Sequence, residues 1–208
     1  MERGSSRSPA TLEPIGPDWA LQGRRTRLRL LDEKDLPARL AMTNDPAVQL
    51  ETVGMAVGER TPYDIRNWFA ALSADSNSRQ IAIEDESGRY VGDLDLHSFD
   101  PSRGEAWVEV LLGDPALRAR GEAEAADCLA DALGTLLTFA FGPLGLQKVL
   151  VEVLSTNSAA RRALSALGFR EVGQIDHLNG VISYILELTS SEFPRPPAAA
   201  PPGPPANP

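Results

Sequence analysis

Residues 105–169 read EAWVEVLLGDPALRARGEAEAADCLADALGTLLTFAFGPLGLQKVLVEVLSTNSAARRALSALGF, and the change of pattern along this stretch decides the fold. Residues 106–112 are rich in β-branched and large apolar side chains, which predicts a strand. Gly113, Asp114 and Pro115 break it, and residues 118–123 lead into a helical pattern. A second strand is expected over 148–154 and a second helix over 158–167, closed by Gly168 and Phe169. The order is therefore strand, glycine-bearing turn, helix, strand, helix. The turn formed by Arg118, Ala119, Arg120, Gly121, Glu122 and Ala123 is a generic anion cradle. The first turn of a helix carries open N–H groups and the positive end of the dipole.

Upstream, residues 26–31 alternate and predict an opening strand, followed by a helix that Asp32 caps and that Asn44, Asp45 and Pro46 end. Residues 48–60, with Gly54 and Gly58, read as a loop with a short helical piece. Thr61 and Pro62 start a helix bearing Ile65, Trp68, Phe69 and Leu72 at helical spacing. Residues 79–84 and 89–99 form two strands around a Glu86-Ser87-Gly88 turn, and 100–104 is the next turn. Downstream, 170–175 and 181–188 form a last hairpin around Asn179-Gly180.

Residues 1–20 read as a disordered leader and 191–208 as a proline-rich tail, with the domain between them at 21–190. Both tails are expected to be dispensable. The 208-residue length indicates about one domain, and 42% hydrophobic content supplies a core. A net charge of −9 disfavours a surface that coats nucleic acid and suits basic or neutral amine substrates. The single cysteine, Cys128, excludes an internal disulfide and reads as small core filling. Nothing resembles a signal peptide or a membrane span, so a cytoplasmic protein is expected, a monomer or a homodimer.

The ordered motifs resemble the GNAT superfamily of acyl-CoA-dependent N-acetyltransferases, and most nearly its ribosomal-protein alanine N-acetyltransferase branch. Arg118-x-x-Gly121-x-Ala123 fits that family's signature turn. Asn157-Ser158-Ala159-Ala160, Leu167-Gly168-Phe169 and the phrase at 136–146 fit its later motifs, and Leu21, Gly23, Arg25, Asn44, Asp45 and Pro46 its earlier ones. The resemblance covers residues 21–188. It implies an α/β (mixed α+β) fold, a splayed mixed sheet with helices on both faces. It also implies acetyl-CoA as co-substrate, an amine acceptor (a protein N-terminus or a small amine), no metal, and direct acetyl transfer. The rival reading is a non-catalytic or repurposed relative that binds CoA without this chemistry.

Carried over residue by residue, the resemblance implies backbone contacts to the cofactor from Val110, Leu111 and Leu112. It implies a phosphate cradle at residues 118–123 and support from Asn157, which is equally suited to capping the last helix. Gly121 is expected where a side chain would block close backbone approach. The chain departs from the family in three ways. Extra residues follow the signature, so either the helix is longer at its start or 122–126 forms a loop. Glu122, Glu124 and Asp127 crowd the cradle with negative charge. Leu164 stands where many relatives carry a proton-donating tyrosine.

A general base is needed because an amine is mostly protonated at neutral pH. Glu109, on the strand that would splay, is the candidate, with a water chain or Glu105 as alternatives; Glu109 reads equally as a solvent-facing strand residue. Asp93, Asp95 and His97 share one strand face and offer a second row, for a substrate cation or a proton relay, or merely the wet side of a sheet. Three ligands along one strand rarely converge on a metal. His177, beside the final turn, reads as a surface residue.

Overall fold

The computed structural model describes residues 16, 18–178 and 180–194. Strands β1 (Ala20–Gln22), β2 (Arg27–Leu30), β3 (Ser78–Glu84), β4 (Tyr90–Asp100) and β5 (Glu105–Leu112) run antiparallel in sequence order. Beyond β5 come β6 (Lys148–Leu154), β8 (Ile182–Thr189) and β7 (Arg170–Asp176), completing an eight-stranded sheet. Only the β5–β6 pair is parallel. The expected mixed sheet is borne out.

Local chemistry sets the helices. Asp32 and Asp35 form a reciprocal cap around a single 3-10 turn, Glu33–Asp35, that leads into α1 (Leu36–Asn44). Asp45 then ends α1 and caps α2 (Pro46–Thr52), accepting N–H bonds from Ala47 and Val48. Thr61 and Asp64 build a capping box at the start of α3 (Pro62–Ser73), with Pro62 in the first position. A short helix α4 (Pro115–Arg118) precedes α5 (Glu122–Phe141). The residues that exceed the family pattern therefore lengthen α5 rather than form a loop. The last helix, α6 (Ser158–Ala166), starts on Asn157.

The period-2 alternation of the strands divides the core. Ile81, Ile83, Leu94, Leu96, Ala106 and Val108 pack with α5 and α6 side chains, including Leu129, Leu133, Leu136 and Leu164. The opposite face carries Ala82, Tyr90 and Leu111 against Met42 of α1 and Trp68 and Phe69 of α3. Helices thus cover both faces.

At two boundaries the ordered chain extends beyond the expected domain. The leader was expected to run to residue 20, yet Ala20 begins β1 and Trp19 meets Phe139 edge-on at 5.3 Å. The tail was expected from residue 191, yet Phe193 is 8% exposed and packs on Phe141 with ring centroids 5.5 Å apart. In both places a lone aromatic buries enough apolar surface to order its neighbours, which average composition hides. The Asn179-Gly180 turn falls partly on residue 179, outside the described residues.

Candidate active site at a fork in the sheet

Strands β5 and β6 pair only over Glu105–Trp107 and Lys148–Leu150. Beyond Trp107, β5 continues with β4 as its partner, and beyond Leu150, β6 continues with β8. The two strands part, and the fork between them holds two adjoining cavities. One, of about 210 Å³, lies among Leu112, Arg118, Gly121, Glu122, Thr156 and Ser158. The other, of about 440 Å³, includes Asp93, Asp95, Glu109, Leu111, Glu152 and Leu164 in its wall. Glu51, Thr52, Val110, Leu129, Asn157 and Ala160 line both.

The smaller cavity has the features of an anion seat. Two helix N-termini converge on it, α5 from Gly121 and α6 from Asn157. No side chain caps α5, so its first-turn N–H groups stay available. Gly121 has φ +98°, and a Cβ built there meets nothing within 4 Å. Backbone conformation and an open seat in front of it, rather than crowding in the free protein, account for this glycine.

The acidic residues are mostly turned away. Glu124 pairs with Arg25 at 2.5 Å and Arg120 at 3.7 Å, and Asp127 with Arg25 at 3.8 Å. Only Glu122 of the three lines the cavity. Arg118 grips Glu51 of α2 with two bonds of 2.6 and 2.9 Å. Asn157 does two jobs: its oxygen caps Ala160 N at 3.0 Å and its amide donates to Glu51 O at 3.1 Å. α2 is thereby fastened to α4 and to the start of α6, across the junction of the two cavities.

The Asp93-Asp95-His97 row does not act as one group: Asp93 and Asp95 line the larger cavity and His97 does not. Asp93 is buried and accepts bonds from Arg39 at 3.0 Å and from the Tyr90 hydroxyl. Burial pushes its carboxyl up, against the opposing pull of Arg39 and Tyr90. Arg39 also lies 3.5 Å over the Trp68 ring. Asp95 accepts from Ser78 at 2.7 Å, and His97 Nδ1 meets Ser98 at 2.9 Å. Among the described residues no group of side chains is arranged to hold a metal ion.

Glu109 does reach the fork. It is 77% exposed, and His97 Nε2 lies 3.8 Å from its carboxylate, beyond hydrogen-bond range. The sequence reading missed Glu152 on β6. Its carboxylate accepts a 2.5 Å bond from Ser183, whose oxygen lies 2.8 Å from His177 Nε2. His177 is therefore not merely a surface residue. The signal for Glu152 was present in the Val151-Glu152-Val153 alternation, which turns the carboxylate away from the core. Its partner Ser183, on a strand 31 residues away, was not readable. Leu164 is 1% exposed and closes the apolar side of the cavity. Cys128 is buried in α5, and burial pushes its thiol up to about 11, so it is inert filling.

Comparisons place this geometry. The sequence matches the acetyltransferase (GNAT) domain over residues 25–170. A search of curated proteins gives no match. Among solved structures, Vibrio cholerae spermidine N-acetyltransferase in complex with CoA and spermine superposes with a TM-score of 0.67 at 17% identity, covering 81% of this chain and 97% of that one. Mycobacterium smegmatis RimJ with CoA-disulfide gives 0.66 at 20% identity, covering 86% and 90%. A probable GNAT-family acetyltransferase from Chromobacterium violaceum gives 0.71 at 18% identity, covering 92% and 95%. At these identities the superpositions speak for the fold alone. Among the described residues no helix is long and apolar enough to cross a membrane. With most of its length matched and the forked sheet in place, this chain belongs to the acetyltransferase (GNAT) family.

Proposed function

We propose that the chain transfers an acetyl group from acetyl-CoA to a primary amine by direct attack. The observation that carries this is the fork: an anion seat at two helix N-termini opens into a larger cavity with carboxylates on its wall. The first-turn N–H groups of α5, with Gly121 leaving room, would hold the pyrophosphate, and residues 118–123 would frame it. Free backbone groups of Val110, Leu111 and Leu112, which lack a β6 partner, would take the pantetheine arm. Bound acetyl-CoA supplies the activated acyl group.

The chain's own residues manage the acceptor. The amine nitrogen bonds to the acyl carbon, the carbon–sulfur bond breaks with its electron pair leaving on sulfur as the CoA thiolate, which takes a proton from water because Leu164 offers none, and the proton lost by nitrogen passes to a carboxylate. A general base works best when it is fixed. Glu152 is held by Ser183, whereas Glu109 stands exposed at the rim. We assign the proton to Glu152, with Glu109 meeting the incoming cation, Asp95 on the same wall and His97 behind Glu109. Among small amines and peptide N-termini, an acidic wall favours acceptors that arrive positively charged.

The test is steady-state acetylation of a panel containing polyamines, simple amines and alanine-initiated peptides. Glu152→Gln should lower kcat/KM by about 10²–10⁴-fold, and Glu109→Gln should mainly raise KM for the amine. Acetyl-CoA binding without turnover of any amine would displace this reading in favour of a CoA-binding, non-catalytic protein.

A further inference from the structure

We propose that His177, acting through Ser183, is a positioning residue that holds the Glu152 carboxylate fixed on the wall of the larger cavity. This rests on the acetyl-transfer reading above.

Ser183 is 0% exposed, so water cannot satisfy its hydroxyl. Its single proton is committed to Glu152, at 2.5 Å. The 2.8 Å contact with His177 must then be a bond from the ring Nε2–H into the serine oxygen. The chain of donation runs one way, imidazole to hydroxyl to carboxylate. This order excludes a serine nucleophile, which would give its proton to histidine.

The ring is placed by the backbone. His177 N donates to Val181 O at 2.8 Å and His177 O accepts from Gly180 N at 2.9 Å, which fixes the end of the β7–β8 hairpin. The other ionisable groups on the cavity wall have their own partners or none near Glu152. Arg39 is engaged with Asp93, Asp95 with Ser78, and Glu51 with Arg118. Glu109 stands beside His97, and the side chain of Arg60 has no partner among the described hydrogen bonds and ion pairs. The only imidazole on Glu152 is His177, 3.5 Å from its carboxylate.

Donors to a carboxylate favour its ionised form, so their loss makes ionisation harder. Without Ser183 or His177, the acidic limb of the kcat/KM profile must move to higher pH. Full-length Ser183→Ala, His177→Ala, the double variant, His177→Gln and Glu152→Gln are assayed with acetyl-CoA and the best amine of the panel, each after a melting scan. Ser183→Ala and His177→Ala should lower kcat by about 10- to 100-fold, less than the ~10²–10⁴-fold expected when the base itself is removed. Both should move the acidic limb upward, with the Kd for acetyl-CoA unchanged. Because the contacts act in series, the double variant should be no worse than Ser183→Ala. His177→Gln, which keeps an N–H donor, should recover part of the loss.

A fall in kcat with a stationary limb marks a structural role and overturns the proposal, as does additivity in the double variant. A Glu152→Gln protein that is fully active removes the base assignment and this inference together. If Glu152→Gln is slow while His177→Ala is silent, only this inference falls. Should no amine be turned over, the Glu152 carboxyl is titrated by carbon-13 NMR in the free protein. Its midpoint must rise in Ser183→Ala and His177→Ala, and an unchanged midpoint overturns the proposal.

Discussion

Gly121→Ala separates two things that one residue does. At φ +98° and ψ 166° the backbone occupies a region reserved for glycine, and adding Cβ there costs about 1–3 kcal/mol. No steric term adds to this in the free protein, because nothing lies within 4 Å of the new methyl. For a chain of this length each kcal/mol moves the melting temperature by about 2–4 °C, so the free protein should melt about 2–12 °C lower. That loss is modest and leaves a folded protein to work with.

The effect on the cofactor should be larger. The methyl would stand in the seat from which the α5 N–H groups reach a phosphate. Hydrogen bonds to a charged group are worth about 1.5–3 kcal/mol each, and displacing the phosphate from two donors costs ~3–6 kcal/mol. The Kd for acetyl-CoA should rise by roughly 10²–10⁴-fold. Titration calorimetry below both melting points measures this directly. In the wild type, acetyl-CoA at 100 Kd should raise stability by ~2.7 kcal/mol, and the variant should show about 0.4 kcal/mol or less at that concentration. If Gly121→Ala binds acetyl-CoA with the wild-type Kd, the cradle is not the phosphate seat and the argument from the two helix N-termini is wrong. Glu122→Gln tests the same seat from the other side. Removing that carboxylate should tighten binding by about 1 kcal/mol, less at high salt.

Two further outcomes concern stability. A protein cut to residues 21–189 should melt well below one spanning 18–194, and Phe193→Ala alone should cost about 3 kcal/mol or roughly 6–12 °C; equal melting would show that Trp19 and Phe193 merely rest on the surface. The bond from the Thr61 backbone, then that from its hydroxyl, hold the Asp64 carboxyl below its usual range. At Glu84, burial pushes upward but hydrogen bonds from Arg29 and Arg27 outweigh it. Carboxylates depressed in the folded state contribute stability above the unfolded value near about 4 and lose it as pH falls through the folded value. Melting should therefore be flat from about pH 7 to 5 and decline below about 4, and Glu84→Gln should weaken that decline.

The elements that rest on local chemistry were legible in the sequence. Asp32 and Thr61 each announced a helix start, because a cap and the N–H groups it satisfies lie within three residues, whereas Asp45 was read only as the end of α1 and its cap on α2 went unnoticed. Strand alternation likewise told which side chains of β4 and β5 share a face. The fork itself was not legible from pattern, since it is a failure of pairing between strands 40 residues apart, and only the family motifs implied it. The Arg118–Glu51 and Glu152–Ser183–His177 contacts are closures of the same long-range kind. Arg25 illustrates the point: its pairing with Glu124 and Asp127 removes most of the charge conflict at the cradle, across about 100 positions of chain. β1 escaped notice because three residues are too few to show a period.

The wall shared by the two cavities makes their occupants interdependent. Glu51 and Thr52, the last residues of α2, line both, and α2 is tied to the phosphate end through Arg118 and to α6 through the Asn157 amide. Just beyond α2, Gly54 lies so close to Val181 that a Cβ would sit 2.7 Å from its methyl, which fastens this segment to the hairpin bearing His177. On the proposed reading, a phosphate drawing on Arg118 would compete with Glu51, and cofactor binding would then reset the segment that also faces the proposed amine site. Coupling between two binding equilibria is reciprocal. If CoA, which carries no acyl group to transfer, tightens binding of an amine by some factor, the amine must tighten CoA by the same factor. Arg118→Ala and Glu51→Gln, which cut the tie without touching either reacting atom, should reduce that factor toward one. Calorimetric titration of each ligand with and without the other reads both sides of the equality. An unchanged factor in both variants would show that the cavities communicate through Val110 and Leu129 instead of α2.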